Sequence, residues 1–437
     1  MTQKEKIKTK IEKLKKTGFF SIFIATVFSK VITLLGGIIL VRILSKSDYG
    51  IYSYVHNCYS MLFLLNDFGI ATAALQYLTE NFSNQEKQRA ILRYSIISCL
   101  VASIVTALLI LLSPYFYPYT ITEAKQLTPM LFLLPTITSI SGLLSVVLRA
   151  NFENKKYSRL QIFTTAITYI ILIAFSVIWG LNGAIFSQYI YSLIILGYSI
   201  FLTYQYLHKL RDKLKVEQKI RKEEKKGFLK YAIASQLNNT VGGLMHIVDT
   251  FLIGYLIAQP EVIATYNVGS KIPHALTFLT TCITIYITPH FIKHNKDFKW
   301  LKKNFKTLMK YSLLGFGIIC IGLIIFAKPI FAILFGSQYY DAIPVYVILV
   351  IGLFFTSALK GPCANILSAL RKIKINIVTN TCCVVVNFIS NIFFIQLLGV
   401  LGAAITTTAT NIIVSIVYVI YLKRYLKRKE QEISDTE

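Results

Sequence analysis

Acidic side chains are scarce here: 20 Asp and Glu stand against 46 Lys and Arg, and charged residues of both signs fill only 15% of 437 positions. Chemical motifs are missing as well. The chain has no H-E-x-x-H, no G-x-S-x-G, no clustered metal ligands and no paired carboxylates in outer loops, so neither bond-making chemistry nor a metal or cofactor is expected. There is no G-x-x-x-x-G-K-[ST] and no soluble stretch long enough for a nucleotide-binding domain. The seven cysteines (Cys58, Cys99, Cys282, Cys320, Cys363, Cys382 and Cys383) fall inside apolar runs without zinc-ligand spacing. They are expected to pack as small residues, with no disulfide framework. No cleavable signal peptide is expected either, because the first apolar run follows a polar leader and continues as a full span.

What is present is apolar. Hydrophobic residues make up 55% of the chain and come in long runs. A helix needs ~20 such residues to cross a bilayer. The expected fold is therefore an all-α polytopic membrane protein; continuous rather than alternating runs exclude a β-barrel. About twelve spans are predicted, near 19–43, 51–79, 91–113, 127–149, 160–180, 183–207, 229–257, 262–291, 308–328, 342–368, 374–396 and 399–422. Basic residues alternate sharply between the two sets of connections. One set holds the leader Lys4 to Lys16, Lys87 to Arg93, Arg149 to Arg159, and dense runs over 209–230 and 293–310. The same set ends with Arg371 to Lys374 and the tail from Lys423; the other set offers only Arg42, Lys46, Lys125 and Lys328. The positive-inside rule then puts both termini in the cytoplasm, and it accounts for the +26 formal charge without nucleic acid. The chain divides into a basic segment 1–18, a first lobe 19–207, a polar linker 208–228, a second lobe 229–422 and a tail 423–437. The leader places Ile7, Ile11 and Leu14 on one helical stripe among lysines, which suits either a helix on an anionic leaflet or a solvated tail.

The lobes repeat each other. Val147-Leu-Arg-Ala150 matches Ile366-Leu-Ser-Ala369, and Gly180-Leu-Asn-Gly183-Ala184 matches Gly399-Val-Leu-Gly402-Ala403, with 30 positions from Ala150 to Gly180 and from Ala369 to Gly399. Asp48-Tyr-Gly-Ile-Tyr52 has a looser counterpart in Glu261 to Tyr266. The expectation is a duplicated six-span unit with a pseudo-two-fold along the membrane normal.

Ionisable groups inside hydrocarbon are costly and must face protein or a wet cavity. His246 and Asp249 share a face of span seven, and Lys271 and His274 share one of span eight, being three apart. Lys30 lies mid-depth in span one, Asp67 in a polar interruption of span two, and Lys360 before Gly361-Pro362, a second expected break. Arg42 sits at the outer edge of span one. These groups either line a mildly cationic cavity that holds an anionic substrate and a coupling ion, or pair internally, Lys30 with Asp67 and Lys271 with Asp249. Spans three, five, six, nine, eleven and twelve lack mid-span ionisable groups and read as scaffold.

The stretch Arg42-Ile-Leu-Ser-Lys-Ser-Asp48-Tyr49-Gly50, then Asp67-Phe-Gly69-Ile-Ala-Thr-Ala, resembles the opening of polysaccharide biosynthesis proteins of the Wzx flippase type. Asp249-Thr-Phe-Leu-Ile253-Gly254 with Tyr266-Asn-Val-Gly-Ser-Lys271 resembles the start of their second lobe. That family belongs to the multidrug/oligosaccharidyl-lipid/polysaccharide exporter superfamily. The resemblance implies a MATE-like, V-shaped two-lobed bundle in the cytoplasmic membrane. Such a bundle moves undecaprenyl-diphosphate-linked oligosaccharide units across by alternating access driven by H+ or Na+. It would work as a monomer among membrane lipids and associate with the polysaccharide-synthesis machinery. Substrate binding then falls to Lys30, Arg42, Lys271 and Lys360, and ion coupling to Asp67, Asp249, His246 and His274. Twelve spans fit this type better than the lipid II flippases of the superfamily, which have fourteen. A cation-coupled multidrug exporter of the same superfamily is the alternative, disfavoured by the excess of Lys over Asp. A polysaccharide polymerase or ligase is disfavoured by the lack of a large outer loop.

Overall fold

A computed structural model of the protein describes residues 19–64, 66–212, 220–294 and 297–434. Each expected span is helical, and no strand occurs among the described residues. Hydrocarbon imposes this outcome, since backbone groups away from water must be satisfied within their own segment. In chain order the helices are α1 (Phe19–Ile43), α2 (Lys46–Phe63), α3 (Ile70–Glu80), α4 (Gln85–Phe116), α5 (Thr122–Leu127) and α6 (Leu134–Ala150). They continue with α7 (Asn154–Asp212), α8 (Lys222–Ile257), α9 (Pro260–Lys293), α10 (Phe298–Ile325), α11 (Ala327–Leu334), α12 (Ile343–Phe355), α13 (Gly361–Ala369), α14 (Ile373–Leu398) and α15 (Val400–Ser434). Among the described residues seven helices are long and apolar enough to cross a membrane, or up to nine if two bent pairs each form one span. The 59-residue α7 folds at Trp179–Gly180 and so contains spans five and six.

Span two is broken as expected. Between α2 and α3 lies a 3-10 turn, Asn66–Gly69, in which Asp67 (φ 52°), Phe68 (φ 46°) and Gly69 (φ 77°) are left-handed. The Asp67 carboxylate accepts from the backbone N–H of Gly69 (3.0 Å) and Ala71 (3.2 Å), capping the start of α3. The carbonyl of Leu64, freed by the break, accepts from Gln236 Nε2 and Thr240 Oγ1 of α8. Span ten departs from expectation. Instead of breaking at Gly361-Pro362, the chain passes through a π-helical turn, Thr356–Lys360, and Gly361 N–H bonds Thr356 O. Proline lacks the N–H of a regular turn; one wide turn absorbs the mismatch and keeps the span continuous.

The chain forms two compact units, 1–243 and 244–437. In the first, α3, α4, α6 and the start of α8 share a core in which Ala73, Ala74, Ala102, Ala150 and Ala232 let the helices approach closely. At its basic end Lys87 Nζ meets Glu224 Oε1 at 2.7 Å, tying the start of α4 to the start of α8. In the second, α9, α10, α13, α14 and α15 pack around Phe305, Cys363, Ile366 and Tyr418. All seven cysteines are free thiols.

The two units carry matching local geometry 219 positions apart. Gly180 has φ 55°, ψ −134° and Gly399 has φ 59°, ψ −139°. Phe152 and Arg371 are left-handed at φ 57° and 59°. The N–H of Glu153 bonds Leu148 O at 2.9 Å, and that of Lys372 bonds Leu367 O at 2.8 Å. A Cβ at Gly183 would lie 2.0 Å from Phe175 O, and one at Gly402 would lie 2.0 Å from Phe394 O. Agreement at this level of backbone detail is what a duplicated six-span unit produces.

Candidate functional site

Asp249, on α8, is 5% exposed. A bare carboxylate so placed would cost many kcal/mol, and neutral donors converge on it. Asn391 Nδ2 donates to Oδ1 at 2.7 Å, while Thr407 Oγ1 (2.6 Å) and Tyr266 Oη (2.5 Å) donate to Oδ2. Asn391 Nδ2 also donates to Asn387 Oδ1 (3.1 Å), and Asn387 Nδ2 donates to Thr407 Oγ1 (3.1 Å). The bonds close a ring through Asp249, Asn391, Asn387 and Thr407, with Tyr266 attached. Four helices supply it: α8, α9, α14 and α15.

The spacing explains why. Asn387 and Asn391 are four apart on α14 and project from one face, as do Thr407 and Asn411 on α15. One turn along α15 from the ring, roughly 6 Å of helix rise, Asn411 Oδ1 accepts from Lys360 Nζ at 3.0 Å. Lys360 closes the π-helical turn; Phe355, just before that turn, has its carbonyl capped by Ser415 Oγ at 3.1 Å. Thr407, Asn411 and Ser415 thus form a polar stripe from Asp249 to the wide turn. Gly352 permits the approach of α12, since a Cβ there would meet Thr408 Oγ1 at 2.9 Å. One atom of the ring is unsatisfied: Asn391 Oδ1 is buried without a hydrogen-bond partner among the described residues.

Within the second unit, Lys360 and Asp249 share the seam, Lys271 is half-buried on α9, and His274 is exposed. The side chain of His246 lies outside the described residues. In the first unit Lys30 and Arg42 are exposed on α1, and Asp67 caps its own helix. Spans eleven and twelve, expected as scaffold, supply Asn387, Asn391, Thr407 and Asn411. Those residues are neutral and give no signal in a search for charge; the four-residue spacing of Asn387 and Asn391 is the one sequence feature that could have found them. In the first unit the positions 219 earlier hold Thr168, Leu172 and Gln188 where the second has Asn387, Asn391 and Thr407.

A bundle of long apolar helices, duplicated, broken at span two and widened by a π-helical turn in span ten, with one carboxylate locked into a polar seam, defines a multi-pass membrane protein. The chain belongs to the polysaccharide biosynthesis protein family, whose model matches residues 39–344. It is 20% identical to stage V sporulation protein B of Bacillus subtilis, covering 95% of this chain and 86% of that protein. It is 28% identical to a putative O-antigen transporter of Shigella flexneri over 173 residues, 39% of this chain and 40% of that one. Among solved structures, an inward-facing multidrug resistance MATE transporter of the MOP superfamily superposes with TM-score 0.73 at 12% identity, covering 92% of this chain and 96% of that one. The lipid II flippase MurJ superposes at 0.69 and 17% identity, covering 92% and 87%. The fold is thus MATE-like, shared with a flippase and with drug transporters.

Proposed function

We propose that this protein is a flippase that carries polyprenyl-diphosphate-linked oligosaccharide units across the cytoplasmic membrane by ion-coupled alternating access. The lobes 19–207 and 229–422 would expose a path to each side in turn. The reading is supported by membership of the polysaccharide biosynthesis family and carried by the Asp249 ring. A buried carboxylate among amide and hydroxyl groups suits one monovalent cation, Na+ or a proton. The buried Asn391 Oδ1 is a ready oxygen ligand in that ring. Asn387, Thr407 and Tyr266 would complete the ion's surroundings, while Lys30, Arg42, Lys271 and Lys360 would meet the diphosphate. His246, His274 and Asp67 are secondary candidates for coupling. The protein acts as a carrier rather than as an enzyme in this reading.

The test is reconstitution in vesicles with a fluorescent polyprenyl-diphosphate sugar. Wild-type protein should move it across under an inward Na+ or proton gradient. Asp249→Asn, which keeps the size of the side chain, should fold and lose the gradient dependence. Lys30→Ala and Lys271→Ala should each abolish polymer export in cells while the protein still reaches the membrane. Gradient-driven efflux of a cationic dye with no lipid movement would instead assign it to drug export. For topology, a fluorescent protein fused after Glu437 should fluoresce and an alkaline phosphatase fusion there should be inactive.

A further inference from the structure

The second unit carries a second feature that the transport reading does not use: a cavity of about 670 Å³ between α9 and α10. Its walls are apolar, with Leu279, Ile283 and Ile287 on one side and Leu308, Gly315 and Ile319 on the other. On α9 the lining recurs on one helical face from Leu279 to His290, about 16 Å of helix, which matches one leaflet of a ~30 Å hydrocarbon core. Polar groups concentrate at one end, His290, Asn304 and Thr307 beside Trp300, with Tyr311 and Ser312 one turn further along α10. Trp300 stacks on His294 (4.2 Å between centroids) and edges Phe291 (5.4 Å), the position of an interfacial anchor.

Charge surrounds that end. Lys293 lies one turn beyond His290, and Lys303 and Lys310 flank Thr307 at helical spacing. All three are exposed, and none makes an ion pair among the described residues. The adjoining face of α10 presents Leu314, Ile318 and Ile321, the surface of a helix bathed in lipid tails. An occupant must therefore arrive from the bilayer with a chain one leaflet long, and its head must be anionic.

We propose that this groove is a binding site for an anionic glycerophospholipid of the lysine-rich leaflet, one acyl chain between α9 and α10 and the phosphate held by Lys293, Lys303 and Lys310. The positive-inside bias assigns that leaflet to the cytoplasm.

Gly315 makes the test clean. A Cβ built there meets nothing within 4 Å and Gly315 lines the cavity, so Gly315→Leu directs a side chain into the groove, and leucine is the better helix former. Full-length protein is placed in lipid nanodiscs of equal phosphatidylglycerol and phosphatidylcholine, released into mild detergent, and its retained lipids counted by native mass spectrometry. Wild type should hold one more phosphatidylglycerol than Gly315→Leu. The exposed double variant Lys303→Gln/Lys310→Gln should lose preference for phosphatidylglycerol over phosphatidylcholine, roughly fivefold per lysine. Equal retention by wild type and Gly315→Leu overturns the site, and an unchanged preference in the lysine variant overturns the choice of head group. Displacement of phosphatidylglycerol by an equimolar polyprenyl phosphate overturns the choice of occupant. The readout is binding, so it stands apart from the transport assay.

Discussion

Asp249 and Asp67 are both carboxylates inside apolar runs, and their surroundings give them different work. Asp67 accepts from the backbone N–H groups of Gly69 and Ala71, within four residues of itself, so its charge is consumed locally. Asp249 is held by three side chains from three other helices. Removing one donor should therefore be felt across the unit. Asn391→Leu is expected to lower stability by about 1.5–3 kcal/mol, the worth of a hydrogen bond to a charged group. The check is the unfolding midpoint of the purified protein beside that of Asn376→Leu, whose amide donates only to neutral oxygens. Of the site, Asp249 and Lys360 were legible in the sequence because a charge within a long apolar run is conspicuous. Their partners were not, since asparagine and threonine occur in many spans and only their register, read across two helices, shows that they converge.

At the scale of elements, the break in span two was legible from Asn66-Asp67-Phe68-Gly69, and its support was not. Gly69 is left-handed, and a Cβ there would sit 2.1 Å from the carbonyl oxygen of Ala232 on α8. Gly69→Ala is expected to cost at least about 1–3 kcal/mol, read as lost accumulation of folded protein in the membrane. The π-helical turn ending at Lys360 escaped the sequence because Gly-Pro is a local stop signal, whereas Ser415 of α15 caps the Phe355 carbonyl at its start. The Lys87–Glu224 tie offers a pH-dependent test. The hydrogen bond from Lys87 holds the Glu224 carboxyl below its ordinary value of 4.5. A depressed acid adds stability above its unfolded-state value and loses it as pH falls through the folded one. The thermal midpoint of wild type should exceed that of Glu224→Gln near neutral pH, by a small margin at this half-exposed site, and the gap should narrow as pH falls below 4.5.

At the scale of the whole molecule, the 219-residue repeat predicts matched pairs of mutants. Gly180→Ala and Gly399→Ala meet no neighbour but force alanine into a glycine-only backbone region, so each should cost about 1–3 kcal/mol. Gly183→Ala and Gly402→Ala drive a methyl into a carbonyl 2.0 Å away and should be more severe, again alike. Unequal losses within either pair, measured by thermal unfolding, would show that the halves have drifted apart mechanically. Chemically they already have: Leu172 stands where its copy holds Asn391. In the proposed cycle only the second half would then hold a cation in this manner. The bound cation would carry one elementary charge, separate from that of the anionic cargo, and 100 mV on one charge yields about 2.3 kcal/mol. Set against RT at 25 °C, the cation's share alone corresponds to about a fiftyfold accumulation of cargo.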